Sequence, residues 1–339
     1  MRVREALRIF TILVGLLGSP QGKAAPVAAR SLPVIDMHLH ASRLNVSTPV
    51  PVCPGNRPIE YPAVDPGRPS SSVVSADCEK PILSPLTGVE LKARTIAELR
   101  RYNVRRAVLA GTPELVSDWS KAAPGQFIPA ATPRDRSADA LADLRRLHEE
   151  GRAAVFAELG AQYFGLRADD PSLDPFWTLA EQLDVPVGIH LGEGQPGQGD
   201  ERVPLYRAKL TSPFQLEEVL IRHPRLRLYV MHAASPLTDE MIAMLFEYPQ
   251  LYVDVGANVW NMPRAQFYGQ LKRLTDAGFS RRILFGSDQT IWPEGIGLGI
   301  QTINEAPFLS SRQKRDILYN NAARFLRLTP EQIARDHAN

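Results

Sequence analysis

The sequence is poor in cysteine, with two in 339 residues. Neither has the neighbours of a catalytic thiol, and the chain contains no G-x-S-x-G elbow, so two familiar nucleophile arrangements are missing. It also lacks an excess of either charge, with a net of +2. That removes the usual reason to expect nucleic acid or an anionic surface as partner. No apolar run reaches the roughly 20 residues that span a bilayer, so no stable membrane span is expected. There is no internal repeat. What remains, 44% hydrophobic and 7% aromatic residues, is ordinary for a globular chain with a large core.

The N-terminus departs from that background. Arg2, Arg4 and Arg8 precede an apolar stretch from Ile9 to Leu17, followed by Gly18, Pro20 and "GKAAP". This is the layout of a secretory signal peptide over residues 1–24. That segment carries a net +3, which leaves −1 for the remainder. Export to the periplasm or the outside follows. In an oxidising compartment Cys53 and Cys78, which flank a Pro-, Gly- and Ser-rich stretch, are expected to form a disulfide that ties down a long loop.

From residue 86 onward, short apolar runs alternate with amphipathic stretches. Strands are expected at 33–40, 106–111, 127–131, 153–159, 186–191, 226–232, 251–257 and 282–288. Helical patterns such as "ELKARTIAELRRY" and "ADALADLRRLHEEG" lie between them. Strand–helix alternation argues for a parallel sheet, and nearly continuous apolar strands argue that both faces are covered. Eight such units predict a (β/α)₈ TIM barrel at 31–328, with a single open doubly wound sheet as the alternative. Residues 41–86 form a long inserted loop after strand one. Extra helices are expected from Ser310, and 329–339 is a C-terminal tail.

Four of the seven histidines fall at carboxyl ends of predicted strands, where barrel active sites form. In "DMHLH", His38 and His40 are two apart and share a face of the strand. Asp36 has the same spacing and is expected to orient one of them. "GIHLG" ends strand five in His190, "YVMHAA" ends strand six in His232, and "LFGSD" ends strand eight in Asp288. Glu158 stands alone in the apolar run "AAVFAEL"; a buried carboxylate needs a cation nearby, either an ion-pair partner or a metal. Imidazoles and carboxylates together suit zinc and similar divalent ions. Asp254, inside strand seven, is expected to be structural. "GEGQPG" (192–197) fits G-x-G-x-x-G but continues as loop instead of opening a helix, which argues against a dinucleotide site.

This ordered set resembles the amidohydrolase superfamily of metal-dependent hydrolases, in its amidohydrolase-related (type 2) branch. The resemblance rests on "DMHLH", Glu158, His190, His232, "FGSD" and the closing "NNAARFLRL". It implies that His38, His40 and Asp288 hold a first metal. It also implies that His190 joins them or binds a second ion, that His232 is a second-metal ligand or a catalytic imidazole, and that an acidic residue on strand four bridges two ions. Asp288 would take a proton from a metal-activated water. Gln162, Tyr163, Asn258, Trp260 and Trp292, on loops above the same rim, are candidate substrate contacts, and the 41–86 loop a candidate lid. The leading expectation is an exported hydrolase using one or two divalent ions, zinc first, on a small-molecule ester, lactone, amide or related bond. A decarboxylase or lyase of an aromatic or unsaturated acid is the first alternative, and a secreted protein that binds zinc without catalysis the second. Self-association is open.

Overall fold

The apolar runs fold as eight parallel strands. These are β1 (Val34–Ala41), β2 (Val104–Gly111), β3 (Phe127–Pro129), β4 (Phe156–Leu159), β5 (Val187–His190), β6 (Leu228–Met231), β7 (Tyr252–Asp254) and β8 (Ile283–Leu284). This computed structural model describes residues 32–339, apart from 62, 64, 66, 68–76, 134, 195, 197–202 and 339. The expected signal segment 1–24 lies outside the described residues. Strands β1–β2–β3 and β8–β7–β6–β5–β4 each hydrogen-bond in that order. Parallel bridges Leu39–Gln289 and Ala130–Val155 join the two sets at both seams, which closes the barrel.

A helix follows each strand: α1 (Gly88–Arg101), α2 (Pro113–Ala122), α3 (Ala138–Glu149), α4 (Asp174–Gln182), α5 (Glu217–Arg222), α6 (Thr238–Glu247), α7 (Arg264–Asp276) and α8 (Glu294–Glu305). Local chemistry sets several starts. The side chains of Thr87, Thr112 and Ser137 accept the N–H of Glu90, Leu115 and Ala140, filling orphan donors of the first turns of α1, α2 and α3. No helix among the described residues is long and apolar enough to cross a membrane.

Apolar residues split into two clusters. The larger, with Trp119, Trp177 and Phe267, packs helices on the strands. The smaller takes residues two apart, Ile35 and Met37, Val108 and Ala110, and Tyr229 and Met231, together with Leu284, and so fills the barrel interior. Tyr319, Ala322, Ala323 and Phe325 of the C-terminal helices join this inner cluster. The segment anticipated as a tail is helix α9 (Pro330–Ala338). Its buried Asp336 accepts from Arg106 Nε on β2 and from the Tyr319 hydroxyl, at 2.7 and 2.9 Å.

The expected eighth strand, 282–288, keeps ladder geometry only at Ile283–Leu284. Beyond it Met37 N–H donates to Phe285 O, Asp288 N–H to His38 O and His40 N–H to Gln289 O. Three steps along β1 therefore face four along 285–289, a bulge of one residue that redirects Asp288. In the 41–86 insert, Pro51–Val52 pairs antiparallel with Ile82–Leu83, and Cys53 is bonded to Cys78. Gly55 N–H donates to Trp260 O and Gly55 O accepts from Arg264 N–H, while Trp292 Nε1–H donates to Val50 O. The insert is thus stitched to the loops after β7 and β8.

Candidate metal centre

His38 and His40 leave β1, Glu158 leaves β4, His190 ends β5, and His232 and Asp288 follow β6 and β8. Their ligand atoms form one cluster. His38 Nε2 and His40 Nε2 are 3.1 Å apart, and Asp288 Oδ1 is 3.3 and 3.0 Å from them. Glu158 Oε2 lies 3.5 and 3.3 Å from the same two nitrogens. Its Oε1 faces the other pair, His190 Nε2 at 3.9 Å and His232 Nε2 at 3.7 Å. Donors held about 2.0–2.1 Å from a tetrahedral ion sit roughly 3.3 Å from one another. The separations around His38, His40, Glu158 and Asp288 bracket that value.

The far side of three rings sets their tautomers. His38 Nδ1 faces Asp254 Oδ2 at 3.1 Å, His190 Nδ1 faces Gln162 Oε1 at 3.1 Å, and His232 Nδ1 faces the Gly256 carbonyl at 3.0 Å. Each partner accepts only, so each Nδ1 carries a proton and each Nε2 is turned to the cluster. His232 Nε2 is buried without a hydrogen-bond partner. An orphan nitrogen, outward-facing Nδ1–H groups and two carboxylates fit a divalent cation. The groups that together can hold it are His38–His40–Glu158, His38–His232–Asp288 and Glu158–His190–His232.

Electrostatics agree with a site that attracts positive charge. Burial resists charging His38 and His40, yet Asp288 and Asp254 hold His38 well above its usual range, and Asp288 and Glu158 push His40 up to about 9. Burial likewise resists ionising Glu158, but the imidazoles of His232, His38 and His40 around it keep it well below the usual carboxylate range. His190 is pushed down to about 4, by burial and then by the neighbouring His232. Without metal, protons on His38 and His40 balance the carboxylates.

The backbone is shaped for these side chains. His232, Ala233, Ala234, Ala257 and Asp288 adopt left-handed φ angles of 49–60°; such strain in non-glycine residues clusters at functional sites. A Cβ on Gly256 would come within 2.6 Å of His38 Nδ1, and one on Gly286 within 2.7 Å of His38 Cβ.

The substrate-contact candidates separate. Tyr163 is half-buried at the mouth, its hydroxyl 2.8 Å from His190 Nε2. Gln162 is buried and its amide is engaged by His190, Gly192 and Thr211, so it holds His190. Asn258 Nδ2–H donates to His232 O and steadies that residue. Trp260 is buried with its Nε1–H on Ser287 O, and Trp292 binds Val50 O, so both indoles pack loops. Asp36 does not orient an imidazole. The β1–β2 register shifts between Asp36 and Leu39, which breaks the assumed alternation, and Asp36 Oδ1 takes the N–H groups of His38 and Ser287. Asp254, expected to be structural, does that orienting. An aspartate in mid-strand gives no separate sequence signal for such a role.

Comparisons with known proteins agree with this geometry. The Amidohydro_2 family model, amidohydrolase, matches residues 35–328. No curated protein matches the chain. Among solved structures, a 2,6-dihydroxybenzoate decarboxylase from Rhizobium is 15% identical with a TM-score of 0.55, over 88% of this chain and 99% of that one. A dihydroxybenzoic acid decarboxylase from Polaromonas sp. JS666, with bound manganese and the inhibitor 2-nitroresorcinol, is 16% identical with a TM-score of 0.55, over 72% and 91%. A probable 2-pyrone-4,6-dicarboxylic acid hydrolase from Acinetobacter baumannii, with citric acid bound, is 13% identical with a TM-score of 0.54, over 87% and 99%. These likenesses establish a shared barrel. The histidine–carboxylate cluster at its rim is a divalent-metal site, and with the family match spanning most of its length the chain belongs to the amidohydrolase family.

Proposed function

We propose that the protein is a metal-dependent hydrolase that cleaves an ester, lactone, amide or related bond of a small molecule, with zinc in the cluster. The observation that carries this reading is Glu158, whose two oxygens face two separate imidazole pairs, with Asp288 beside them. His38, His40, Glu158, His190, His232 and Asp288 are the proposed ligands, enough donors for one ion or two. A divalent ion there supplies a water acidified to a pKa of about 7 and a Lewis acid for a carbonyl. Asp288 is the base. Burial alone would favour its neutral form, but His38 and His40 keep it ionised and able to accept a proton and return it to the leaving group. His232 has a second use where it is protonated and not a ligand: its Nδ1–H···O bond to Gly256 then aims an Nε2–H that would donate to the oxygen that gains charge.

A metal-dependent decarboxylase is the second reading, supported by the decarboxylases among the structural neighbours. The deciding experiment quantifies bound metal and assays one preparation on two panels. One panel holds esters, lactones, amides and phosphoesters; the other holds hydroxybenzoic acids, with CO₂ release as readout. Hydrolysis that disappears with chelator and returns with zinc is expected. Full activity at near-zero metal content would overturn both readings, and metal binding without any turnover would leave a zinc-binding protein. Asp288→Asn should lower turnover by about a hundredfold or more while the fold persists. Export is part of the proposal, supported by the basic–apolar N-terminus and by the Cys53–Cys78 bond. Intact mass of the protein recovered from the periplasm tests it, and an uncleaved N-terminus counts against it.

A further inference from the structure

Tyr163 follows β4 and packs on the cluster from the side. Its ring centroid is 4.6 Å from that of His190 and 5.7 Å from that of Tyr206. The hydroxyl is 2.8 Å from His190 Nε2. The direction of that bond is fixed by what lies behind the imidazole. The Gln162 amide nitrogen donates to Gly192 O at 3.2 Å and to Thr211 Oγ1 at 3.0 Å, so Gln162 Oε1 is left to accept from His190 Nδ1–H. His190 Nε2 then has only a lone pair, and the phenol must donate to it. A metal ion would need the same lone pair. One lone pair cannot serve a proton donor and a cation together, so filling the site through His190 displaces the Tyr163 hydroxyl from that nitrogen while its ring stays packed on His190.

We propose that Tyr163 caps the His190 lone pair in the metal-free protein and, once displaced by metal, donates its hydrogen bond to an anionic oxygen of the bound substrate. The phenol stays protonated throughout. The ligand class this favours is a small molecule that presents an oxyanion at the metal beside Tyr163. The inference rests on the metal-site reading above, but its test needs no turnover.

The experiment titrates Zn²⁺ into chelator-stripped wild type and Tyr163→Phe. It then titrates acetohydroxamate, an anionic oxygen ligand, into the zinc-loaded proteins. Wild type should show a near-ultraviolet tyrosine difference spectrum that saturates with zinc, and the variant should lose it. The variant should bind zinc roughly three- to tenfold more tightly, because one competing neutral hydrogen bond is gone. It should bind acetohydroxamate about tenfold or more weakly, the worth of a hydrogen bond to a charged group. Phe keeps the ring packing, and the wild-type difference spectrum reads the capping step without any variant. Equal or weaker zinc binding by Tyr163→Phe, or unchanged acetohydroxamate affinity, would overturn the proposal. Failure of wild type to bind zinc at all would remove the metal reading and this inference with it.

Discussion

Asp254 serves two histidines of the site at once. One oxygen faces His38 Nδ1, and the other accepts the N–H groups of His232 and Gly256 at 3.0 and 2.8 Å. In Asp254→Asn one of those places must be taken by an NH₂ group that opposes a donor. Metal affinity should fall roughly 10- to 100-fold, as for other partners of ligating histidines; unchanged affinity in a metal competition assay would rule out the orienting role. Gly286 is a second such residue. A methyl group there meets the fully buried His38 side chain, so Gly286→Ala should lose metal more than it loses secondary structure, measured by metal content beside circular dichroism. The six proposed ligands are legible in the sequence because each ends an apolar run with a residue that such a run rarely carries. Asp254, Gln162 and Gly286 are not. Their work is defined by what faces them across the barrel, and spacing along one strand holds no trace of that.

Among elements, the insert and β8 show where local pattern stops being informative. Strand–helix alternation marks all eight strand–helix units because each must bury an apolar strand under an amphipathic helix. It cannot show that β8 leaves its ladder after Leu284, since a bulge changes hydrogen bonding without changing composition. Nor does it show that the insert is docked. Gly55 has no room for a side chain against the Met262 carbonyl, so that segment lies flat on the loop after β7. The disulfide closes a separation of 25 residues, worth roughly 3–4 kcal/mol in the chain-entropy picture. Among the described residues between the two cysteines, Glu60 and Asp77 pair as an isolated antiparallel bridge. Cys53→Ser with Cys78→Ser should therefore expose 53–78 to limited proteolysis while metal content is kept, because the proposed ligands sit on barrel strands or on the segments that follow β6 and β8, outside 53–78. Equal protease resistance would mean that the contacts with Trp260, Arg264 and Trp292 hold the insert unaided.

For the whole molecule, the cluster makes stability depend on pH and metal in opposite senses. In the metal-free protein His38 and His40 have folded-state pKa values above the unfolded value of about 6.5. Their contribution is fully present below about pH 6.5 and is lost as pH rises through the folded values, near 9 for His40. Glu158 and Asp288 are held low, so their contribution is present above the ordinary carboxylate range and is lost only in acid. The chelated protein should therefore be most stable between about pH 5 and 6.5 and weaken toward pH 9. Metal binding runs the other way, since the ion competes with the protons on His38 and His40 and binds more tightly as they leave. An ion at a hundred times its dissociation constant stabilises the native state by about 2.7 kcal/mol, roughly 5 °C in a domain of this size. The gap between melting temperatures with zinc and with chelator should then widen steadily from pH 6 to pH 9. A gap that stays constant or narrows at fixed free zinc would mean that the protons on His38 and His40 do not stand in for the metal's charge.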